Sequence, residues 1–457
     1  MLKVVNPANN ETIKEVQTDT ATTVSDKFRK AKSAQAKWAA QPLNSRLEVI
    51  RKFRALLEKD LEELAHTLTS EVGKPISQSR NEIKGTLGRI DFFLEKTPGV
   101  IRDESVFKDS AAPLEEVIGH EPLGVVANIS AWNYPYFVGS NVFIPALLTG
   151  NAVLYKPSEF ATLTGIAITE RLHASGVPAD VFSLVVGDGS IGVELLKNPV
   201  NGVFFTGSYA TGKKIAEAVA SRMIKVQLEL GGKDPAYVCD DANVKNAAEG
   251  LADGAFYNNG QSCCSVERIY VHAKVYDQFV EHFVNTVKGF VTGDPNDEKT
   301  YIGPLTRAAQ LSVVKNQVTD AMAKGAKLMV GGQKVANSKG HYFQPTVLTN
   351  VTHSMDVMRE ESFGPVIGIQ KVANDNEALM LINDTAYGLT SAVYSASRER
   401  AHTILAQANS GSVYWNCCDR VSPRLPWSGR GHSGMGSTLS TLGIQTFLQP
   451  KAWHLRG

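Results

Sequence analysis

Two adjacent cysteines, Cys263 and Cys264, stand in the run Gly260-Gln261-Ser262-Cys263-Cys264-Ser265, directly after the turn-forming pair Asn258-Asn259. A thiolate is both a strong nucleophile and a good leaving group, so one reactive cysteine can carry a covalent mechanism. An internal cysteine also serves as a small buried hydrophobe, and residues elsewhere must decide between the two roles. Glu229 is one such residue, closing the apolar run Val226-Gln227-Leu228-Glu229 ahead of paired glycines at 231 and 232. A carboxylate there is either paired, or desolvated and raised in pKa, and the second state suits a general base. Asn133 is another, in Ser130-Ala131-Trp132-Asn133-Tyr134-Pro135 just after an expected strand end. A side-chain amide at that place can donate to a developing oxyanion, or it can simply satisfy loop backbone.

A second group of residues has the character of a nucleotide site. Gly187-Asp188-Gly189-Ser190-Ile191-Gly192 is a literal G-x-G-x-x-G that follows an expected strand and opens a helix, as a dinucleotide fingerprint does. The acid that should follow about 20 residues later is missing, since the chain there reads Ala210-Thr211-Gly212-Lys213-Lys214. Lys156-Pro157-Ser158-Glu159 and Phe205-Thr206-Gly207-Ser208 fit a nucleotide better. Lys156 and Glu159 can grip ribose hydroxyls, or form only an exposed ion pair. Ser208 and the backbone amides near it can meet a phosphate at a helix start, or act as a plain cap.

These side chains need a scaffold, and the chain around them alternates. Strands are predicted over 124–129, 152–155, 181–186 and 202–205, with helices over 163–174, 191–197 and 211–221. That rhythm predicts a parallel sheet covered by helices. A second α/β stretch runs from about residue 232 to 435, with helices over 276–290, 306–324, 375–383 and 397–408. Upstream, 25–40 and 47–71 have helical apolar spacing. Residues 101–120 are polar, contain Pro113 and are expected to form a projecting hairpin or arm. The last twenty residues have no core of their own and are expected to dock elsewhere.

Composition narrows the class. A chain of 457 residues predicts two or three domains. Its net charge of +1 supplies no field for nucleic acid or an anionic membrane. No stretch is apolar over the length of a membrane span, and the N-terminus lacks an apolar signal core. Five cysteines without metal-ligand spacing argue for no metal site and a reducing, cytoplasmic setting.

In order along the chain, seven motifs are similar to those of the NAD(P)-dependent aldehyde dehydrogenase superfamily. They are Trp132-Asn133-Tyr134-Pro135, Lys156 to Glu159, Phe205 to Ser208, Leu228-Glu229-Leu230-Gly231-Gly232-Lys233, Gly260 to Cys263, Glu361-Ser362-Phe363-Gly364-Pro365 and Pro426-Trp427-Ser428-Gly429-Arg430. The resemblance implies an α/β, aldehyde-dehydrogenase-like fold in three parts. A Rossmann-type nucleotide-binding domain would take 1–100 and 121–231, and an α/β catalytic domain 232–436. A small β oligomerisation arm with its tail would take 101–120 and 437–457.

The same resemblance implies roles. Cys263 would be the nucleophile, Asn133 with the Cys263 amide the oxyanion hole, and Glu229 the activator of the hydrolytic water. Lys156 and Glu159 would hold the adenosine ribose, Ser208 a phosphate, and Glu361 with Phe363 the nicotinamide ribose and ring. Trp132, Ser158, Gly189 and Gly231 complete the expected cofactor set. The implied reaction oxidises an aldehyde to an acid through a cysteine thiohemiacetal and a thioester.

Glu159 favours NAD, because a carboxylate accepts from both ribose hydroxyls and repels a 2′-phosphate; Lys156 and Ser158 leave NADP possible. A CoA-acylating enzyme, a cysteine hydrolase without a redox step, and a catalytically silent relative are the alternatives. Tyr257, Tyr136, Cys264 and Trp427 are the candidates for substrate contact. Tyr257 occupies the place where succinate-semialdehyde enzymes of the superfamily often have Arg, and Arg420 or Arg424 could face a polar substrate. A homodimer or homotetramer is expected.

Overall fold

The computed structural model describes residues 1–111 and 113–457; residue 112, within the expected arm, lies outside the described residues. The fold is α/β, built on two largely parallel sheets. The first runs in the order Gly434–Met435, Lys225–Glu229, Gly202–Thr206, Val125–Ile129, Ala152–Lys156, Phe182–Leu184. Every pairing in it is parallel except that of Gly434–Met435 with Lys225–Glu229. Val125–Ile129 and Ala152–Lys156 are buried at every position, as strands covered by helices on both faces must be.

The second sheet runs Lys327–Val330, Thr346–Thr349, Val366–Val372, Val266–His272, Asp234–Val238, Thr390–Tyr394, Ser412–Trp415. Only its first strand is antiparallel to its neighbour. The helices expected between strands are present with shifted ends, among them Thr162–Ser175, Gly189–Lys197, Tyr209–Val219 and Tyr276–Lys288.

Three features depart from the sequence reading. The helical stretch over 47–71 is two helices, Leu43–Lys59 and Leu61–Val72, because the backbone of Asp60 between them leaves the helical region at φ −96°, ψ 17°. The helix Ile76–Val100 falls outside the spans with helical apolar spacing, since its buried face carries the polar residues Gln78, Glu82, Thr86 and Arg89, which hide the apolar period. The strand expected over 181–186 is shortened to Phe182–Leu184.

The hairpin expected over 101–120 is present as Glu104–Asp109 paired with Leu114–Pro122. The C-terminal strand Leu448–Arg456 pairs antiparallel with Leu114–Pro122 over its whole length, making a three-stranded sheet. Among the described residues, no helix is long and apolar enough to cross a membrane. Among them, no group of three or more His, Cys, Asp or Glu side chains is placed to hold a metal.

Topology sets where the chemistry can lie. Asn133, Lys156, Ser208 and Glu229 all sit at or just beyond the carboxyl ends of strands of the first sheet. In open α/β sheets that edge is where ligands bind.

Candidate active site

A cavity of about 1330 Å³ opens at this edge, larger than the ~300–1,000 Å³ usual for small-ligand sites. Cys263, Glu229 and Asn133 all line it, and so do Trp132, Lys156, Ser158, Glu159, Gly189, Ser208, Gly231, Glu361 and Phe363. The structure therefore gathers every catalytic and cofactor candidate onto one surface, although they are drawn from widely separated stretches of chain.

Cys263 is half-buried and its thiol is free. It reaches the cavity because the chain turns sharply between helix Val244–Phe256 and strand Val266–His272. Asn258, Asn259 and Gly260 take left-handed φ values of 53°, 58° and 69° in succession. Asn tolerates that conformation better than other residues with a side chain. Glycine is required at 260, where a Cβ would lie 2.4 Å from the Gly364 carbonyl oxygen.

Side chains then fix the turn. Asn258 Nδ2 donates to the carbonyls of Asn133 (3.2 Å) and Gln261 (3.0 Å). Asn259 Nδ2 donates to the Pro304 carbonyl at 2.8 Å, and the Gln261 side chain accepts from the Thr306 amide at 3.0 Å. Asn133 is 4% exposed and its Nδ2 donates to the Gln261 carbonyl at 3.1 Å. The amide of Asn133 and the backbone leading into Cys263 are thus directly tied together.

Glu229 ends its strand almost sealed from solvent. Its Oε1 accepts from Gln227 Nε2 at 2.7 Å and from Thr438 Oγ1 at 2.9 Å, while Oε2 has no partner among the described residues. Burial pushes its pKa up to about 8, against the lowering effect of those two hydrogen bonds. Cys264 is different: its Sγ donates to Asp419 Oδ1 at 3.0 Å, and its hydrogen bond with Cys263, then burial, hold its thiol well above the ordinary range.

At the other end of the cavity, Lys156 is 3% exposed and, among the described residues, its Nζ donates only to the Pro157 carbonyl, at 3.3 Å. Burial lowers its pKa, opposed by Glu159 and then Asp188. Ser208 caps helix Tyr209–Val219, accepting from the Thr211 amide at 3.4 Å. Gly189 opens helix Gly189–Lys197 after the Asp188 cap, and a Cβ there would meet no atom within 4 Å. Glu361 Oε1 accepts from the Gly232 amide at 3.1 Å, and a Cβ on Gly231 would fall 2.1 Å from the same oxygen. Burial, then the charge of Glu267, raise Glu361 to about 8. Phe363 packs edge-on against Trp132, with ring centroids 5.5 Å apart.

The four substrate candidates do not line this cavity. Tyr136 and Trp427 do not take up the lining role expected of them, because both are buried in the hydrophobic core. The Tyr257 hydroxyl accepts from Asn81 Nδ2 at 3.2 Å. Cys264 is 4% exposed, and Arg420 and Arg424 lie exposed on the surface.

Several contributors escaped the sequence reading. Gln227 was detectable, being two residues from Glu229 and so on the same strand face. Thr438 lies 209 residues away and gave no local signal. Glu267 is buried and accepts from the Ser362 amide (2.7 Å), the Phe363 amide (2.9 Å) and Lys233 Nζ (2.7 Å). It thereby fixes the segment that presents Glu361 and Phe363.

Residues 1–453 match the model of the aldehyde dehydrogenase family. The chain belongs to the aldehyde dehydrogenase family. It is 35% identical over 420 residues to a Mycobacterium ulcerans protein named "Putative succinate-semialdehyde dehydrogenase [NADP(+)] 2", covering 91% of this chain and 81% of that one. It is 32% identical over 461 residues to aminoaldehyde dehydrogenase 1, peroxisomal, of Malus domestica, covering 98% and 91%. The crystal structure of lactaldehyde dehydrogenase from Escherichia coli superposes with a TM-score of 0.95 at 34% identity, covering 100% of this chain and 95% of that one. As an aldehyde dehydrogenase, the protein carries out NAD(P)-dependent aldehyde oxidation.

Proposed function

We propose that this aldehyde dehydrogenase releases a free carboxylic acid, with water rather than coenzyme A cleaving the thioester. The observation that carries this is Glu229: it lines the cavity that Cys263 also lines, it is buried and raised to about 8, and one of its carboxylate oxygens has no partner among the described residues. Cys263 Sγ adds to the aldehyde carbon, and the oxygen that becomes negative is met by Asn133 Nδ2 and the Cys263 amide. NAD(P), held by Glu361, Phe363 and Trp132, would supply the hydride acceptor needed to oxidise that adduct to the thioester. Glu229 then takes a proton from water as that water attacks the thioester carbon, and Cys263 leaves as thiolate. Product analysis with and without added coenzyme A checks this. The free acid is expected in both, and a CoA thioester as the main product would overturn it.

The cavity supports a dinucleotide. Lys156 and Glu159 stand together, Ser208 and Gly189 lie at helix starts that favour anionic groups, and the open space over Gly189 admits close approach. Glu361, Phe363 and Trp132 would hold the nicotinamide end. The hydrogen bond from Ser158 Oγ at 3.3 Å leaves the Glu159 carboxylate with capacity to accept from ribose hydroxyls, which favours NAD over NADP. We expect kcat/KM for NAD to exceed that for NADP by about tenfold or more, and Glu159→Gln to narrow the gap. Equal values in the native protein would contradict this.

The division into a nucleotide-binding part (1–100 and 121–231), a catalytic part (232–436) and an arm with tail (101–120 and 437–457) is supported by the three main sheets. Exposed Val106, Phe107, Trp453 and Leu455 on the three-stranded sheet support assembly as a homodimer or homotetramer through the arm. Five free cysteines support a reducing, cytoplasmic setting.

A further inference from the structure

Arg89 is a buried cation that the chemistry above does not use. It lies on helix Ile76–Val100 and is only 6% exposed. Buried charges are normally paired, because an uncompensated ion is costly to hold away from water. Arg89 forms no ion pair with any described residue, and its one hydrogen bond runs from Nη1 to Asn141 Oδ1 at 2.9 Å. Its Nε and Nη2 have no acceptor among the described residues. Glu82, the acid with most influence on it, is committed elsewhere: one oxygen pairs with Lys74 and the other accepts from the amides of Tyr136 and Phe137.

The place of this cation matters more than its burial. The guanidinium lies over the Phe137 ring, 3.9 Å from its centroid. Phe137 and the hydrogen-bonded Asn141 are one turn apart on helix Pro135–Leu148, which begins two residues after Asn133. At 5.4 Å per turn, Arg89 stands roughly one to two turns from the oxyanion donor.

The ring beneath it cannot easily move. Tyr134 stacks on Phe137 with centroids 5.8 Å apart, and a Cβ on Gly85 would lie 2.7 Å from Phe137 Cζ. Arg89, Tyr134, Phe137 and Asn141 do not line the cofactor cavity, whereas Asn133 and Cys263 do. Arg89 therefore approaches the nucleophile from outside the cofactor's space. Burial lowers its pKa to about 10, against the raising effect of nearby Glu82, Cys264, Cys263 and Tyr134, so it stays protonated at neutral pH.

We propose that Arg89 is the specificity-determining residue for the far end of the substrate, and that the preferred aldehyde carries a carboxylate a short carbon chain away from its carbonyl. The proposal rests on Cys263 being the nucleophile, as argued above. A guanidinium pairs with a carboxylate through two parallel hydrogen bonds, which sets both affinity and orientation, and Arg89 has donors left for such a pair. The rival charge is Asp419, which accepts from Cys264 at 3.0 Å and Ser262 at 3.5 Å. If Asp419 governs recognition, an amino-substituted aldehyde is preferred instead.

The test compares 4-oxobutanoate, butanal and 4-aminobutanal with the native protein, Arg89→Met and Arg89→Lys. The native protein should favour 4-oxobutanoate. Arg89→Met should lower kcat/KM for it by about 10- to 100-fold, chiefly through KM, with little change for butanal. Arg89→Lys should recover part of the loss. Parallel losses on all three aldehydes, or a native preference for butanal or 4-aminobutanal, would overturn the proposal. If a variant fails to fold, inhibition of butanal oxidation in the native protein answers the same question: succinate should inhibit and succinamide should not, and equal inhibition by the two would also overturn it. No NADH from any aldehyde would instead refute the nucleophile assignment.

Discussion

Cys263→Ala is expected to eliminate NADH formation with every aldehyde, by about 10⁴-fold or more, while the protein stays folded. The side chain is half-buried at a cavity wall, so truncating it should change stability by no more than about 1 kcal/mol. Cys264→Ala is the contrasting variant. Cys264 packs in the core and donates to Asp419, so its loss should cost stability yet leave turnover within about tenfold of native. Steady-state NADH assays and thermal unfolding on the two variants separate the neighbours. Activity that survives Cys263→Ala but not Cys264→Ala would exchange their roles.

Glu229→Gln has the second large effect expected. Loss of the general base should slow steady-state turnover by about 10²- to 10⁴-fold, and the slowed step is the hydrolytic one. Rapid mixing should therefore show a burst of NADH near one equivalent per active site, followed by slow turnover. The pH dependence has a defined sign. Glu229 acts only when ionised, and burial raises its pKa from 4.5 to about 8. Thioester hydrolysis should climb as pH rises through about 8 and level off above it. In Glu229→Gln that climb should disappear.

The same shift runs the other way for stability. A carboxyl with a raised folded-state pKa favours its neutral form in the folded protein. Its contribution is complete below about 4.5 and is lost as pH rises through about 8. Glu361, also raised to about 8 by burial and by Glu267, adds to that window.

Much of the scaffold was legible in the chain. Strands such as Val125–Ile129 are apolar at nearly every position, as a covered parallel strand requires, and the glycine- and serine-containing turns after them marked helix starts. The helix Ile76–Val100 was not legible, because the residues it buries include Gln78, Glu82, Thr86 and Arg89, which interrupt its apolar stripe. The split at Asp60 depends on one residue's dihedral angles, which no periodicity reports.

At the site, Cys263, Glu229 and Asn133 were visible because each is an odd residue in its local setting. Apart from Gln227, the groups that brace the site were not. Thr438, which donates to Glu229, and Glu267, which anchors the segment carrying Phe363, act across long sequence separations. Tyr136 and Trp427 are substrate candidates as aromatic rings, and residue type does not report which way a ring packs. Both went to the core for that reason.

The central claim is a covalent thioester on Cys263 that Glu229 causes to hydrolyse. The most direct measurement is mass spectrometry of Glu229→Gln, quenched in acid after mixing with NAD and an aldehyde, and then digested. The account predicts an acyl adduct on the peptide carrying Cys263, absent from the Cys263→Ala, Glu229→Gln double variant. An adduct confined to Cys264, or NADH formed in the burst with no acyl adduct on any cysteine, would contradict it.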